Sequence, residues 1–244
     1  MRISRIYHPD SLSLNQELEL EPQAASHLTK VLRLSADAEL VLFNGDGCEY
    51  SARIIRIQRQ RAWVCIHDSQ VRDLESSLKI HLCQCISKGE RMDYTIQKAV
   101  ELGVTHITPL ISEHVAIQLK ADRLTKRLNH WQGIINSACE QSGRNSLPQI
   151  DPPEKLEQWI QAYDHDTTKL TLVPDATMTL KTLATPQQSF TLLIGPEGGL
   201  SQNEITLSEQ FGFKGIKLGP RILRTETAAV TMISILQGMW GDLA

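Results

Sequence analysis

Two glycine- and proline-containing segments near the end of the chain have the composition of ligand-binding turns. The first, Gly195-Pro196-Glu197-Gly198-Gly199, follows the apolar run Phe190–Ile194 and precedes Ser201 and Glu204, which have the spacing of a capping box. Glycines in such a bend let backbone N–H and C=O groups approach a ligand closely. The segment predicts a buried strand, a ligand-binding bend and a helix that begins at Ser201. The alternative is a sharp turn with a structural role only.

The second segment repeats this order, because Gly219 follows Gly195 by 24 residues and Gly219-Pro220 again ends a β-prone run. Thr225 is expected to cap the next helix, with Arg224 at the pocket mouth. The carboxyl ends of neighbouring parallel strands open at one edge of a sheet, so the two turns are expected to share a pocket with a third loop at 172–175. Neither GxGxxG nor GxxxxGK[ST] is present, which argues against a dinucleotide fingerprint or a P-loop.

The elements that must position these turns alternate between strand and helix from about residue 75 onward. This alternation predicts an α/β domain with a mostly parallel sheet covered on both faces. The expected strands are Lys79–Ile86, Thr105–Leu110, Lys169–Val173, Phe190–Ile194 and Gly215–Leu218. The expected helices are Arg91–Leu102, Arg123–Glu140, Glu154–Tyr163, Glu204–Phe211 and Glu226–Met239.

Residues 1–74 are predicted to form a small, mostly β module, a compact barrel. The expected elements are a helix near Gln23–Leu34 and strands at Glu39–Phe43, Tyr50–Ile57 and Ala62–Ile66. Asn44-Gly45-Asp46-Gly47 supplies the positive φ angles that a tight hairpin connection requires. The polar stretch Asp68–Ser77 is the best linker candidate. We therefore place the domain boundary near residue 75, which divides the chain into residues 1–74 and 75–244.

Composition narrows the class of protein. Of 244 residues, 41% are hydrophobic and 22% charged, which is typical of a globular chain and excludes a disordered or collagenous one. No apolar run is long enough to span a bilayer, and the start of the chain lacks a signal-peptide core. The five cysteines are odd in number and form no CxxC pair, so a reducing cytoplasm is expected. The eight histidines show no metal-binding spacing, and no metal is expected.

The two turns, taken with other segments, resemble a known family. Gly195–Gly199 followed by Leu218-Gly219-Pro220-Arg221-Ile222-Leu223-Arg224-Thr225-Glu226-Thr227-Ala228 is similar to the C-terminal signature of the SPOUT class of methyltransferases. The chain more closely resembles the bacterial 16S ribosomal RNA uridine-N3 methyltransferases. Further segments that fit this family are Met1–Tyr7, Ser87–Asp93, Gln97–Val104 and Ala138–Arg144.

The resemblance implies an N-terminal PUA-like RNA-binding β-barrel and a C-terminal SPOUT domain whose end is threaded into a deep trefoil knot. It also implies a homodimer that binds S-adenosylmethionine in the knot loops and methylates N3 of one uridine of 16S rRNA, within the small ribosomal subunit. The cofactor-binding residues implied are Leu172, Val173, Pro174, Ile194, Gly195, Pro196, Glu197, Gly198, Gly199, Leu200, Leu218, Gly219, Ile222, Leu223, Arg224, Thr225 and Thr227.

Methylation of N3 needs help at the acceptor, because this nitrogen carries a weakly acidic imide proton. A base, or a group that stabilises the developing anion, would assist. Candidate bases are Glu197 and Glu140, and candidate anion stabilisers are Arg144 and Arg224. The alternatives stay open: Glu197 could only order its loop, Arg224 could contact phosphate or a subunit interface, and Glu140 and Arg144 could belong to a dimer interface.

RNA binding follows from the resemblance and is supported by local charge, since the net charge of −3 indicates no global attraction to RNA. The candidate RNA contacts are Arg53, Arg56, Arg59 and Arg61 of an acid-free run, together with Lys88 and Arg91. The alternative for the arginine run is a solvated strand face. Trp63 is expected to pack against the core in preference to stacking on a base.

Two other functions remain open at this point. One is a related knotted methyltransferase that acts on another nucleotide or on a ribose hydroxyl. The other is a catalytically silent RNA-binding or ribosome-assembly factor that has kept the fold.

Overall fold

The computed structural model describes residues 3–115, 121–183 and 188–243. The chain forms two compact units. The first unit comprises Met1–Glu75 and Cys139–Leu147, and the second comprises Ser76–Ala138 and Pro148–Ala244. The segment Cys139–Leu147 is therefore packed with residues that lie far from it in the chain.

The first unit contains a five-stranded sheet with the strand order β1-β3-β4-β5-β2. β1 and β3 pair in parallel, and the other neighbours pair antiparallel. The expected helix near Gln23–Leu34 is shorter, because a π-helical turn over His27–Val31 follows α1. The elements are β1 (Ser4–Tyr7), β2 (Glu17–Glu19), α1 (Pro22–Ser26), β3 (Glu39–Phe43), β4 (Cys48–Gln58) and β5 (Arg61–Val71).

Alternation along β4 and β5 places one face of this sheet in a core. Ala52 and Ile54 of β4 and Ala62, Val64 and Ile66 of β5 are fully buried, whereas the residues between them point away from this core.

The connections of this sheet test two further expectations. Gly45 and Gly47 of the β3–β4 turn have φ angles of 99° and 87°, as the turn sequence predicts. The predicted linker begins too early at Asp68, because Ser69 to Val71 still pair with Tyr50 to Cys48.

The second unit contains a parallel sheet with the strand order β12-β10-β11-β6-β7-β8, and β9 also pairs with β7. The predicted α/β class with a parallel sheet is confirmed. The strands are β6 (Lys79–Cys85), β7 (His106–Ile111), β8 (Gln149–Ile150), β9 (Glu154–Lys155), β10 (Thr168–Leu172), β11 (Ser189–Ile194) and β12 (Lys214–Ile216). The helices are α2 (Arg91–Glu101), α3 (Ala121–Ser142), α4 (Leu156–Ala162), α5 (Gln202–Gln210) and α6 (Thr225–Trp240).

Strand β6 shows why this sequence favours a sheet covered on both faces. Leu82, Cys83 and Cys85 are all fully buried, although successive residues point to opposite faces. Cys83 and Cys85 lie in the apolar core that surrounds Trp159, as small core residues. The helix predicted to begin at Glu154 begins two residues later, because Glu154 and Lys155 form β9, which pairs with β7. Among the described helices, none is long and apolar enough to cross a membrane.

A buried polar network crosses the sheet at the amino-terminal ends of its strands. The His81 ring stacks on the His106 ring with centroids 3.9 Å apart. Nε2 of His81 lies 2.7 Å from Oγ1 of Thr108, which donates to Oδ2 of Asp151 at 2.6 Å. Nδ1 of His81 lies 3.2 Å from the Tyr163 hydroxyl. Because Thr108 donates its own proton to Asp151, its oxygen accepts from Nε2 of His81, and both ring nitrogens of His81 are engaged.

Two groups of this network, His81 and Asp151, have strongly shifted pKa values. Burial, reinforced by the neighbouring His106, lowers the pKa of His81 to about 3. Burial opposes ionisation of Asp151, but hydrogen bonds from His106 and Thr108 outweigh it and lower its pKa to about 2. Ligand atoms of His81, His106 and Asp151 lie within 4.8 Å of one another, a proximity that the sequence spacing did not indicate. Two parallel stacked rings cannot both direct a nitrogen lone pair at one ion, so we assign the network a structural role.

Candidate active site

Three loops at the carboxyl ends of β10, β11 and β12 line one cavity of about 670 Å³. These strands are neighbours in the order β12-β10-β11, so their ends open side by side. The loops begin at Val173, Gly195 and Lys217. The volume is typical of a small-molecule site. The three loops meet at one cavity, as the sequence predicts.

Most of the predicted cofactor-binding residues line this cavity. Thr227 does not, and its side chain is exposed on α6. The predicted residues at the cavity are Leu172, Val173, Pro174, Ile194, Gly195, Pro196, Glu197, Gly198, Gly199, Leu200, Leu218, Gly219, Ile222, Leu223, Arg224 and Thr225. The structure adds Arg91, Asp175, Ile205, Ile216, Lys217, Arg221, Glu226 and Ala228.

The loop after β11 is tightly folded, which explains its glycines. A side chain at Gly195 would place its Cβ 3.0 Å from the backbone nitrogen of Leu200. A Cβ at Gly198 would lie 3.2 Å from Cβ of His114. Gly199 has a φ of 71°, a conformation that favours glycine. The glycines therefore keep the loop compact beside the cavity.

The same loop is held at its beginning and end by side chains from elsewhere in the second unit. The Thr225 hydroxyl donates to the Gly195 carbonyl at 2.6 Å. Nδ1 of His114 lies 3.0 Å from the Gly199 carbonyl oxygen. The loop is thus positioned by α6 and by the connection that follows β7.

The helices that follow the two turns begin as local sequence dictates, with one difference. Ser201 caps α5 in a complete capping box: its side chain accepts from the Glu204 backbone, and Glu204 accepts from the Ser201 backbone. Thr225 is not the N-cap of α6. Arg224 occupies that position without a side-chain cap, since a guanidinium offers no acceptor, and the Thr225 hydroxyl bonds the Gly195 carbonyl instead. Arg224 is exposed and lines the cavity.

Glu197 is held as a carboxylate. Its Oε1 accepts from the Lys88 backbone N–H at 2.8 Å and from Nη1 of Arg91 at 2.6 Å. Burial would raise its pKa, but these hydrogen bonds and the Arg91 charge outweigh burial and leave the pKa below its usual value. A carboxylate stabilised in this way is a weak base, so the contacts favour the role of ordering the loop.

The other two candidate catalytic residues lie in the first unit and do not line the cavity. Oε1 of Glu140 accepts from the Tyr7 backbone N–H at 3.0 Å, and burial raises its pKa. The buried Arg144 guanidinium forms an ion pair with Glu75. Both side chains therefore hold the segment Cys139–Leu147 within the first unit, and their catalytic roles remain predictions.

The arginine run lies on β4, β5 and the turn between them. Two of its members are matched by carboxylates of neighbouring strands, since Arg53 pairs with Glu39 and Arg61 pairs with Glu19. Arg59 is in the turn, with a φ of 57°. The charge available to phosphate is therefore concentrated at Arg56 and Arg59.

Trp63 is half-buried, but it is not part of the core of the first unit, contrary to the expected core packing. It alternates with the buried Ala62 and Val64 and so lies on the opposite face of β5. The Arg56 guanidinium sits 3.8 Å from its ring centroid, and that of Arg61 sits 4.9 Å away. The exposed face of this hairpin is a cationic and aromatic surface.

Comparison with known proteins identifies the family. Residues 74–237 match the family described as RNA methyltransferase domain, and residues 20–65 match the RNA methyltransferase PUA domain. A ribosomal RNA small subunit methyltransferase E of Buchnera aphidicola subsp. Schizaphis graminum is 42% identical over all of this chain and 99% of its own length. The chain belongs to the ribosomal RNA small subunit methyltransferase E family. The resemblance seen in the sequence is confirmed.

Solved structures agree with this membership. A member of the methyltransferase E family from Neisseria gonorrhoeae, bound to S-adenosyl methionine, superposes with a TM-score of 0.92 at 39% identity, with full coverage of both chains. A methyltransferase structure from Legionella pneumophila with bound SAM gives a TM-score of 0.96 at 43% identity, also with full coverage of both chains.

Arg91 and Glu226 are two of the eight cavity residues that the sequence did not predict as cofactor contacts. The sequence analysis predicts Arg91 as an RNA contact and gives Glu226 no role of its own. Nε of Arg91 lies 4.0 Å from Oε1 of Glu226. No local pattern could reveal this, because the two residues are 135 positions apart in the chain.

Proposed function

We propose that this protein is an S-adenosylmethionine-dependent methyltransferase that methylates N3 of a specific uridine in 16S rRNA of the small ribosomal subunit. One observation carries the proposal: three loops at adjacent strand ends of a methyltransferase E family member enclose a single cavity of about 670 Å³. The SAM-bound relatives support the choice of cofactor.

The residues present fit S-adenosylmethionine. A side chain at Gly195 would meet backbone and one at Gly198 would press on His114, so both glycines shape a narrow loop beside the cavity. Leu172, Ile194 and Leu223 supply apolar surface for an adenosine, and cavity-lining loop backbone offers polar groups. The residues that would hold the cofactor are those of the three loops, as the sequence predicted.

When bound, the cofactor supplies a methyl group already activated by a sulfonium. The chain must then align this group with the acceptor nitrogen, a task of proximity and orientation. Removal of the N3 proton and stabilisation of the resulting charge fall to side chains. We retain Glu140 as the candidate base, with Arg144 and Arg224 as candidate anion stabilisers, and assign Glu197 to ordering its loop because Arg91 holds its carboxylate.

We further propose that the first unit is a PUA-like barrel that binds RNA through the surface of Arg56, Arg59 and Trp63. The match of residues 20–65 to a PUA domain supports this role. Family membership supports a trefoil knot over the three loops, a homodimer and a cytoplasmic location. The working division of the chain is 1–74 for RNA binding and 75–244 for catalysis.

The test is methyl transfer from labelled S-adenosylmethionine to unmodified small subunits and, in parallel, to protein-free 16S rRNA. Mass spectrometry of the nucleosides identifies the product. We expect N3-methyluridine. Another methylated nucleoside would indicate a related enzyme with a different target, and cofactor binding without transfer to either substrate would indicate a silent RNA-binding factor. A preference for subunits would show that recognition needs assembled structure.

A further inference from the structure

Arg91 occupies the junction of the two glycine–proline turns. It is the first residue of α2, and its Nη1 donates to Oε1 of Glu197 at 2.6 Å. Its Nε lies 4.0 Å from Oε1 of Glu226, in the first turn of α6. Glu197 belongs to the turn after β11, and Glu226 follows the turn after β12. One guanidinium therefore faces a carboxylate from each turn.

Both carboxylates line the cavity, so the charge of Arg91 separates two like charges there. The cation thus lies within 4.0 Å of a carboxylate oxygen from each turn and favours the charged form of both. One oxygen of Glu226, Oε2, is buried without a hydrogen-bond partner among the described residues. That carboxylate relies on Arg91 for compensation of its charge.

The backbone adds a second fixed contact at the same point. Oε1 of Glu197 also accepts from the Lys88 N–H at 2.8 Å, three residues before Arg91. The segment that leads into α2 thus holds Glu197 with one backbone donor and one charged donor. Hydrogen bonds of this charge-assisted kind fix geometry more firmly than neutral ones.

We propose that Arg91 is a positioning residue for the cofactor site, which acts through Glu197 and Glu226, and is not an RNA contact. The inference rests on the proposed function, because it assumes that the cavity binds S-adenosylmethionine. Arg91 holds the two turns in the arrangement that the cofactor needs. A lysine cannot replace it fully, since the three donors of an ammonium leave a single nitrogen, whereas Arg91 faces the two carboxylates with two different nitrogens of a rigid, planar group.

The test compares Arg91→Gln and Arg91→Lys with Lys98→Gln as a matched control. Lys98 lies on the same helix and pairs with Glu101. Calorimetry should give about tenfold weaker S-adenosylmethionine binding for Arg91→Gln, partial recovery for Arg91→Lys and wild-type binding for Lys98→Gln. RNA affinity should be unchanged in every variant. The KM for cofactor should rise, while kcat at saturating cofactor stays near that of the wild type.

A second variant keeps the test informative if Arg91→Gln does not fold. Glu197→Gln keeps the side-chain shape and should weaken cofactor binding to a similar extent. The double variant should be little worse than Arg91→Gln alone, because that change already removes the Arg91–Glu197 ion pair. Additive losses, or normal cofactor affinity with weakened RNA binding, would overturn the proposal. Failure of the wild type to bind S-adenosylmethionine would instead refute the proposed function.

Discussion

His81 should make the second unit sensitive to mild acid, and His81→Gln should remove most of that sensitivity. The ring is buried and neutral, and its pKa is lowered from 6.5 to about 3. Below 6.5 the unfolded chain takes up a proton that the folded state refuses, so stability is lost as the pH falls towards the folded pKa. Glutamine carries no titrating group, although its amide still offers a donor and an acceptor.

The size of the effect follows from the two pKa values. At about pH 6 the unfavourable linkage is about 0.8 kcal/mol, and at about pH 4 it is about 3.3 kcal/mol. The free energy of unfolding should therefore fall by about 2.5 kcal/mol more in the wild type than in His81→Gln over this interval. Asp151 contributes little to the difference, because it is present in both proteins.

The assay is urea unfolding followed by tryptophan fluorescence at the two pH values. A Trp63→Phe background leaves tryptophans only in the second unit, where Trp159 lies 6.1 Å from His81. His130→Gln, a change at an exposed histidine of α3, controls for the loss of one imidazole. If the wild type and His81→Gln lose stability in parallel between the two pH values, the buried neutral ring is not the cause and the reasoning fails.

Two further changes test the remaining surfaces. Gly198→Val should displace His114, because the added carbons press on that side chain. S-adenosylmethionine binding should weaken by about tenfold or more. Normal affinity in a folded variant would show that this loop is not part of the cofactor site. Reversing Arg56 and Arg59 together to Glu should lower RNA affinity and flatten its salt dependence without affecting cofactor binding. Arg53→Gln is the control, since Glu39 already neutralises that charge, and unchanged RNA affinity in the double reversal would exclude this surface.

Local sequence predicted much of the fold because local interactions set it. The strand Glu39–Phe43 has the predicted bounds, and the Ser201 and Glu204 capping box is complete. The errors occur where neighbours intervene. β5 extends to Val71 because that residue still pairs with Cys48, the first residue of β4. Glu154 is part of a strand because it pairs with Leu110 of β7.

The resemblance of several segments to a known family, and the position of the three loops after apolar runs, could be recognised without a structure. Which distant groups meet could be recognised only from the folded chain. Arg91 contacts Glu197, which lies 106 positions further along the chain, and His81 stacks on His106 because their strands pair in register. Such contacts depend on strand order and helix packing, which no local pattern specifies. The residues that form the loops can therefore be predicted from the sequence, whereas the ion pairs that hold the loops in place are known only from the fold.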